Sequence, residues 1–112
     1  MESTRQNKIS RLLQKDLGEI LRKEGSAWFG KAMITVTKVN VTKDLSIARV
    51  YVSLFATADK NELLNQIRHR GNELRFRLGK QIGKQVRIIP ELQFFLDDSL
   101  DYIERIENLL DT

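Results

Sequence analysis

Few residues of this chain could do covalent chemistry. His69 is the only histidine and there is no cysteine, so thiolate metal sites, disulfides and a cysteine nucleophile are excluded, and a two-histidine zinc helix lacks its second ligand. His69 could act as a general base if a substrate and a second polar group approached it. Flanked by Arg68 and Arg70, it reads instead as a solvated residue at a helix end. Asp97 and Asp98 suggest a metal pair, but adjacent residues on an extended strand point to opposite faces, and both stand where a helix needs an N-cap. There is no glycine-rich phosphate loop and no nucleophile elbow. Catalytic residues, a bound metal and a cofactor are therefore not expected.

The other chemistry on offer is cationic. Residues 60 to 90 hold Lys60, Arg68, Arg70, Arg75, Arg77, Lys80, Lys84 and Arg87 against only Glu62 and Glu73. Cations held at backbone spacing are what phosphate contacts require, and arginine adds a two-pronged geometry. Solubility alone explains such a run about equally well. A second set shifts the balance: Lys8, Arg11, Lys15 and Arg22 fall within about 60° of one another on a helix turning ~100° per residue. Two basic helical surfaces on one side of a domain form the footprint of a polyanion site. Charge is also divided along the chain, with residues 1–90 at net +10 and residues 91–112 at net −6. Phe76, between Arg75 and Arg77, and Tyr51, on a less covered strand face, are candidates for stacking on bases. Burial is the commoner fate of a helical Phe.

These side chains need elements to carry them. Ile9, Leu12, Leu13, Leu17, Ile20 and Leu21 form one apolar stripe over Thr4 to Glu24, with a capping box at Ser3 and Gln6 and a C-terminal cap expected at Gly25. Trp28 and Phe29 fall in the connection from Gly25 to Gly30 and are expected to close the bottom of the core. Ala32–Val41 and Ile47–Phe55 alternate as strands around turn residues 42–46, which predicts an antiparallel hairpin with Ala48, Val50, Val52 and Leu54 facing inward. Asp59 caps a helix whose buried edge is Leu63, Leu64 and Ile67. A second helix follows Gly71 through Leu74, Leu78 and Ile82 and closes at Gly83. Val86–Leu96 reads as a strand in which Pro90 marks an edge or a bulge. A short acidic helix is expected over Asp97 to Thr112, capped by Asp97, Asp98 or Ser99, with Leu100, Ile103, Ile106 and Leu110 on one side.

The whole is an α+β layer, a three-stranded sheet covered on one face by helices, in one domain over residues 1–112. No apolar run approaches the ~20 residues of a membrane span, and Met1 to Ser10 lacks the hydrophobic stretch of a secretory signal. A soluble, cytoplasmic protein is expected.

The order of elements resembles a type II KH domain, an RNA-binding fold whose central helices are usually joined by a G-x-x-G loop. Here Gly71-Asn72-Glu73-Leu74 has no second glycine and puts a carboxylate where phosphate would lie, so the single-strand clamp is not expected. A more particular resemblance spans nearly the whole chain. It is carried by Ile34-Thr35-Val36-Thr37-Lys38-Val39 before Asp44-Leu45, by Ala48-Arg49-Val50-Tyr51-Val52-Ser53, and by Arg87-Ile88-Ile89-Pro90-Glu91-Leu92-Gln93-Phe94-Phe95 leading to Asp97 and Ser99. In this order they are similar to the bacterial ribosome-binding factor A family, in which a kink ending in glycine replaces the loop. That kink usually reads Ala-x-Gly; here it is His69-Arg70-Gly71. With the sequence ending at Thr112, the extended C-terminal tail of some members is not expected.

The resemblance implies a non-catalytic, monomeric factor that binds the small (30S) ribosomal subunit and its 16S rRNA, assists late maturation of that RNA, and serves adaptation to cold. It implies contact near the decoding-side neck, in competition with premature entry into translation. The residues expected to face the RNA are Lys8, Arg11, Lys15, Arg68, Arg70, Arg75, Arg77, Lys80 and Lys84. The alternative is a KH-like protein-interaction or single-stranded RNA-binding module not dedicated to ribosome assembly, with the acidic C-terminal segment meeting a basic partner.

Overall fold

A computed structural model describes residues 3–97, which form α1 (Thr4–Phe29), β1 (Met33–Val41), β2 (Ile47–Phe55), α2 (Lys60–His69), α3 (Gly71–Ile82) and β3 (Glu91–Leu96). This is the α+β order of a type II KH-like fold. The sheet runs β1-β2-β3, with β1 and β2 antiparallel and β3 parallel to β2. A parallel neighbour demands a crossover, and α2 and α3 supply it. The inward residues of β2, Ala48, Val50, Val52 and Leu54, are at most 1% exposed, and the apolar stripes of the helices close over them in one core. The hairpin and its inward face match the sequence expectation. Thr37 forms a bulge in β1, where the register shifts between Val36 and Lys38.

Two boundaries differ from those expected. α1 does not stop at Gly25 but runs another turn to Phe29, about 39 Å in all. Leu17, Leu21, Gly25 and Phe29 recur every four residues on its buried side, so the last turn has core to reach; the positive φ that ends the helix falls at Gly30, at 69°. Trp28 and Phe29 thus belong to a helix rather than a connection. β3 starts at Glu91 instead of Val86, because its first rung is Glu91 N–H to Ser46 C=O at 2.9 Å and Pro90, lacking an N–H, lies just before the ladder. Asp97 accepts the Thr37 hydroxyl at 2.6 Å, tying the end of β3 across the sheet to the bulge. Asp98, Ser99 and the acidic helix expected beyond them lie outside the described residues.

At the start of α1 the expected capping box is formed. Ser3 Oγ accepts from the Gln6 N–H, Gln6 Oε1 accepts from the Ser3 N–H, and the Gln6 side-chain amide donates to the Val41 carbonyl at 2.9 Å. One glutamine therefore caps the helix and fixes it to the end of β1. α1 and α3 lie antiparallel: Arg77 meets Glu24 near one end of the seam, and the Gln81 amide meets Asp16 and Glu19 further along.

Candidate nucleic-acid interface

The break between α2 and α3 is a single residue, Arg70, at φ −93° and ψ 8°. Gly71 follows as the first residue of α3, with φ outside the left-handed region. A β-carbon there would stand 3.8 Å from the Phe94 ring, an ordinary contact. The bend therefore does not depend on the special freedom of glycine. His69 is exposed on the last turn of α2, so the kink makes no demand for a small side chain at that position.

Four arginines of this region are held by the protein itself. Arg68 donates through Nε and Nη2 to the Phe94 carbonyl on edge strand β3, at 3.1 and 2.8 Å. With Leu92, Gln93, Phe94 and Phe95 it lines an open cleft of about 300 Å³. Arg75 makes the same fork to the Ile89 carbonyl, at 3.2 and 2.7 Å. Arg70 pairs with Glu73 at 2.9 Å, and Arg77 pairs with Glu24 at 2.9 Å and with Glu73 at 3.5 Å. The guanidinium carbons of Arg70 and Arg77 also lie 4.6 and 5.1 Å from the centroid of the half-buried Trp28 ring. Two cations and two carboxylates thus cancel around one indole, while Arg68 and Arg75, on neutral carbonyls, keep their charge.

The lysines differ. Lys8, Arg11 and Lys15 on α1, and Lys84 just past α3, are exposed and make no ion pair or side-chain hydrogen bond among the described residues. Lys80 is exposed, with its ammonium 4.7 Å from the Phe76 ring centroid. Because α1 and α3 are antiparallel, the end of α3 comes to the N-terminal half of α1. A groove of about 540 Å³ opens there between Arg5, Lys8, Ile9 and Leu12 of α1, Lys43 to Leu45 of the hairpin turn, and residues 85–88. Arg5, Lys43 and Arg87 join Lys8 on its walls; the sequence reading had not grouped them. The one carboxylate there, Asp44, is engaged with its own turn. Hydrogen bonds from the Ser46 and Thr42 hydroxyls lower its pKa from the ordinary 3.8 to about 2.

Of the two aromatics considered for stacking, Tyr51 is already stacked on Phe95, with centroids 5.5 Å apart and planes at 30°. Phe76 is 61% exposed. Among the described residues no group of three His, Cys, Asp or Glu side chains could hold a metal ion, and no helix is long and apolar enough to cross a membrane.

Known proteins give the family of this fold. Residues 5–110 match the family described as ribosome-binding factor A. The ribosome-binding factor A of Cytophaga hutchinsonii is 44% identical over 110 residues, covering 98% of this chain and 83% of the relative. The crystal structure of ribosome-binding factor A from Thermus thermophilus shares the fold at a TM-score of 0.69 and 22% identity, covering 81% of this chain and 94% of that one. A homology model of the Thermus thermophilus factor, fitted into a cryo-EM map of its 30S complex, aligns at a TM-score of 0.63 and 24% identity, over 80% of this chain and 91% of that one. With a family match across nearly its whole length and a relative of this identity, the chain belongs to the ribosome-binding factor A family.

Proposed function

We propose that this protein is a non-catalytic, cytoplasmic, monomeric factor that binds the small ribosomal subunit and assists late processing of 16S rRNA, with a role in growth at low temperature. Membership of the family supports the ribosome as target, and the 30S complex of the Thermus thermophilus factor supports the small subunit. The observation that carries the contact surface is the set of exposed cations without partners among the described residues: Lys8, Arg11, Lys15 and Lys84. These take phosphates, with Lys80 beside them. Arg68 and Arg75 reach RNA through the guanidinium donors their carbonyls leave over. Arg70 and Arg77 mainly hold α3 to α1 and shape the surface. Phosphate contacts set the position, and fit to local RNA shape selects the site.

Binding to salt-washed small subunits tests this reading. If four to five phosphates are neutralised, affinity falls by roughly a hundredfold or more between about 50 and 200 mM salt. Salt-insensitive binding, or capture of a non-ribosomal protein in place of the subunit, would remove the proposal. With no second glycine after Gly71 and a carboxylate at Glu73 where a clamped phosphate would lie, short unstructured RNA is expected to bind weakly.

A further inference from the structure

An exposed phenylalanine on a helix is unremarkable by itself. What distinguishes Phe76 is its surroundings on α3. Helical neighbours of position 76 lie three and four residues away, at Asn72, Glu73, Gly79 and Lys80. Glu73 is turned aside to Arg70 and Arg77. Gly79 contributes no side chain, and a β-carbon there would already touch Ile89 Cγ1 at 3.5 Å. The ring is thus left open on the Gly79 side, above a groove of about 550 Å³ lined by Asn72, Arg75, Phe76, Gly79, Lys80 and Ile89.

The lining has the chemistry of a nucleotide site and no carboxylate. Phe76 and Ile89 offer apolar surface, the Asn72 amide offers both a donor and an acceptor for a base edge, and Arg75 and Lys80 supply positive charge for the flanking phosphates. The Phe76 ring carries the Lys80 ammonium, 4.7 Å from its centroid on a flexible stem that can swing to a phosphate. Tyr51, by contrast, is stacked on Phe95, and the half-buried Trp28 lies against two guanidinium groups. The remaining exposed large apolar side chains, Met33 and Ile88, have no ring face.

We infer that Phe76 is a stacking platform for one unpaired base of the bound rRNA, with Asn72 facing the base edge and Arg75 and Lys80 on its phosphates. The inference rests on the small-subunit reading above and gives it one position where the protein holds a base rather than the backbone. Stacking on an aromatic tolerates any base, so Asn72 is the residue that would bias the choice.

The test uses the full chain and salt-washed small subunits. Phe76→Ala and Phe76→Leu should each weaken binding by about 5- to 150-fold, the range for loss of one stacked base. Phe76→Tyr and Phe76→Trp should bind as well as the original chain. Because the side chain is exposed, all four should melt like the original. Trp28 is the only native tryptophan, so the fluorescence added in Phe76→Trp reports on this site and should be quenched on binding. If Phe76→Leu binds normally while Phe76→Ala does not, the groove holds an apolar protein side chain and the base-stacking inference is overturned. If both bind normally while charge variants of Lys8, Arg11 and Lys15 still fail, the inference is overturned but the rRNA reading stands. If the unaltered chain does not bind small subunits at all, the rRNA reading falls and this inference with it.

Discussion

Two basic regions of this molecule look alike in sequence and behave differently in the fold. Around the kink, Arg68, Arg70, Arg75 and Arg77 are all engaged by carbonyls, carboxylates or the Trp28 ring. Along α1 and past the end of α3, Lys8, Arg11, Lys15 and Lys84 are exposed without partners among the described residues. Side-chain chemistry explains part of the difference, and position the rest, since Arg11 stands among the exposed set. A guanidinium is a planar fork that is weakly hydrated and flat enough to lie on an indole, so it can bind protein acceptors without giving up its charge. An ammonium is strongly hydrated and gains little from the same acceptors. Counting cations therefore misjudges a surface; what matters is how many still face solvent once the fold has used the forks.

The comparison is broken most sharply by removing the free cations. Replacing Lys8, Arg11 and Lys15 together by Ala should lower small-subunit affinity by several hundredfold near 0.1 M salt, at about 0.9 decade per lost phosphate contact, and flatten the salt slope by about three units. Melting should stay close to the original, since these side chains are exposed and make no ion pair or hydrogen bond among the described residues. An unchanged affinity would mean that the α1 stripe only solvates its helix. The kink should give the opposite pattern. Trp28→Ala removes a half-buried ring that packs edge-on to Phe29 at 6.0 Å and lies beneath two guanidinium groups. Because the ring is only partly buried, it should cost about 2–3 kcal/mol, or roughly 10 °C in Tm, with a much smaller effect on binding once the protein is folded. A variant that melts normally yet fails to bind would move Trp28 from the fold to the interface.

Arg77 sharpens the same point at lower amplitude. It pairs with Glu24 and Glu73 at a position 40% exposed, so solvent screens much of the attraction. In a double-mutant cycle of Arg77→Gln and Glu24→Gln, the coupling measured by denaturant unfolding should be about 0.5–1 kcal/mol. No coupling would leave Arg77 available to RNA.

Local sequence carried most of the fold. The capping box at Ser3 and Gln6, the Asp59 cap that accepts the Glu62 N–H at 3.1 Å, and the alternation that buries Ala48, Val50, Val52 and Leu54 are all short-range patterns, and they appear as read. The end of α1 was misjudged because Gly25 satisfies the local rule for a helix stop, while the burial that extends the helix depends on core contacts made by Phe29. The same limit governs the interface. Arg68 finds its acceptor 26 residues away, Arg75 finds its own 14 away, and Arg77 reaches Glu24 across 53. Conversely, Arg5, Lys43 and Arg87 converge only because the hairpin turn and the segment before β3 fold onto α1. Charge is legible in a sequence; whether a charge is already answered is a long-range property.

The smallest effect expected belongs to a charge answered entirely at short range. Asp44 takes hydrogen bonds from the Thr42 and Ser46 hydroxyls and from the Ser46 N–H at 3.1 Å, all within its turn, and its pKa is lowered to about 2. A carboxylate with a depressed folded-state pKa stabilises the fold above its unfolded value, near 3.9, and loses that contribution as pH falls through about 2. The group is fully exposed, so Asp44→Asn should lower Tm only slightly at pH 7, and the gap from the original should close between about pH 4 and pH 2. Because the same substitution removes the only carboxylate from the wall of the Arg5, Lys8, Lys43 and Arg87 groove, small-subunit affinity should rise modestly at low salt if that groove meets phosphate. A rise that persists at high salt, or a fall, would separate the groove from the free cations of α1 and leave Lys8, Arg11 and Lys15 as the contact surface on their own.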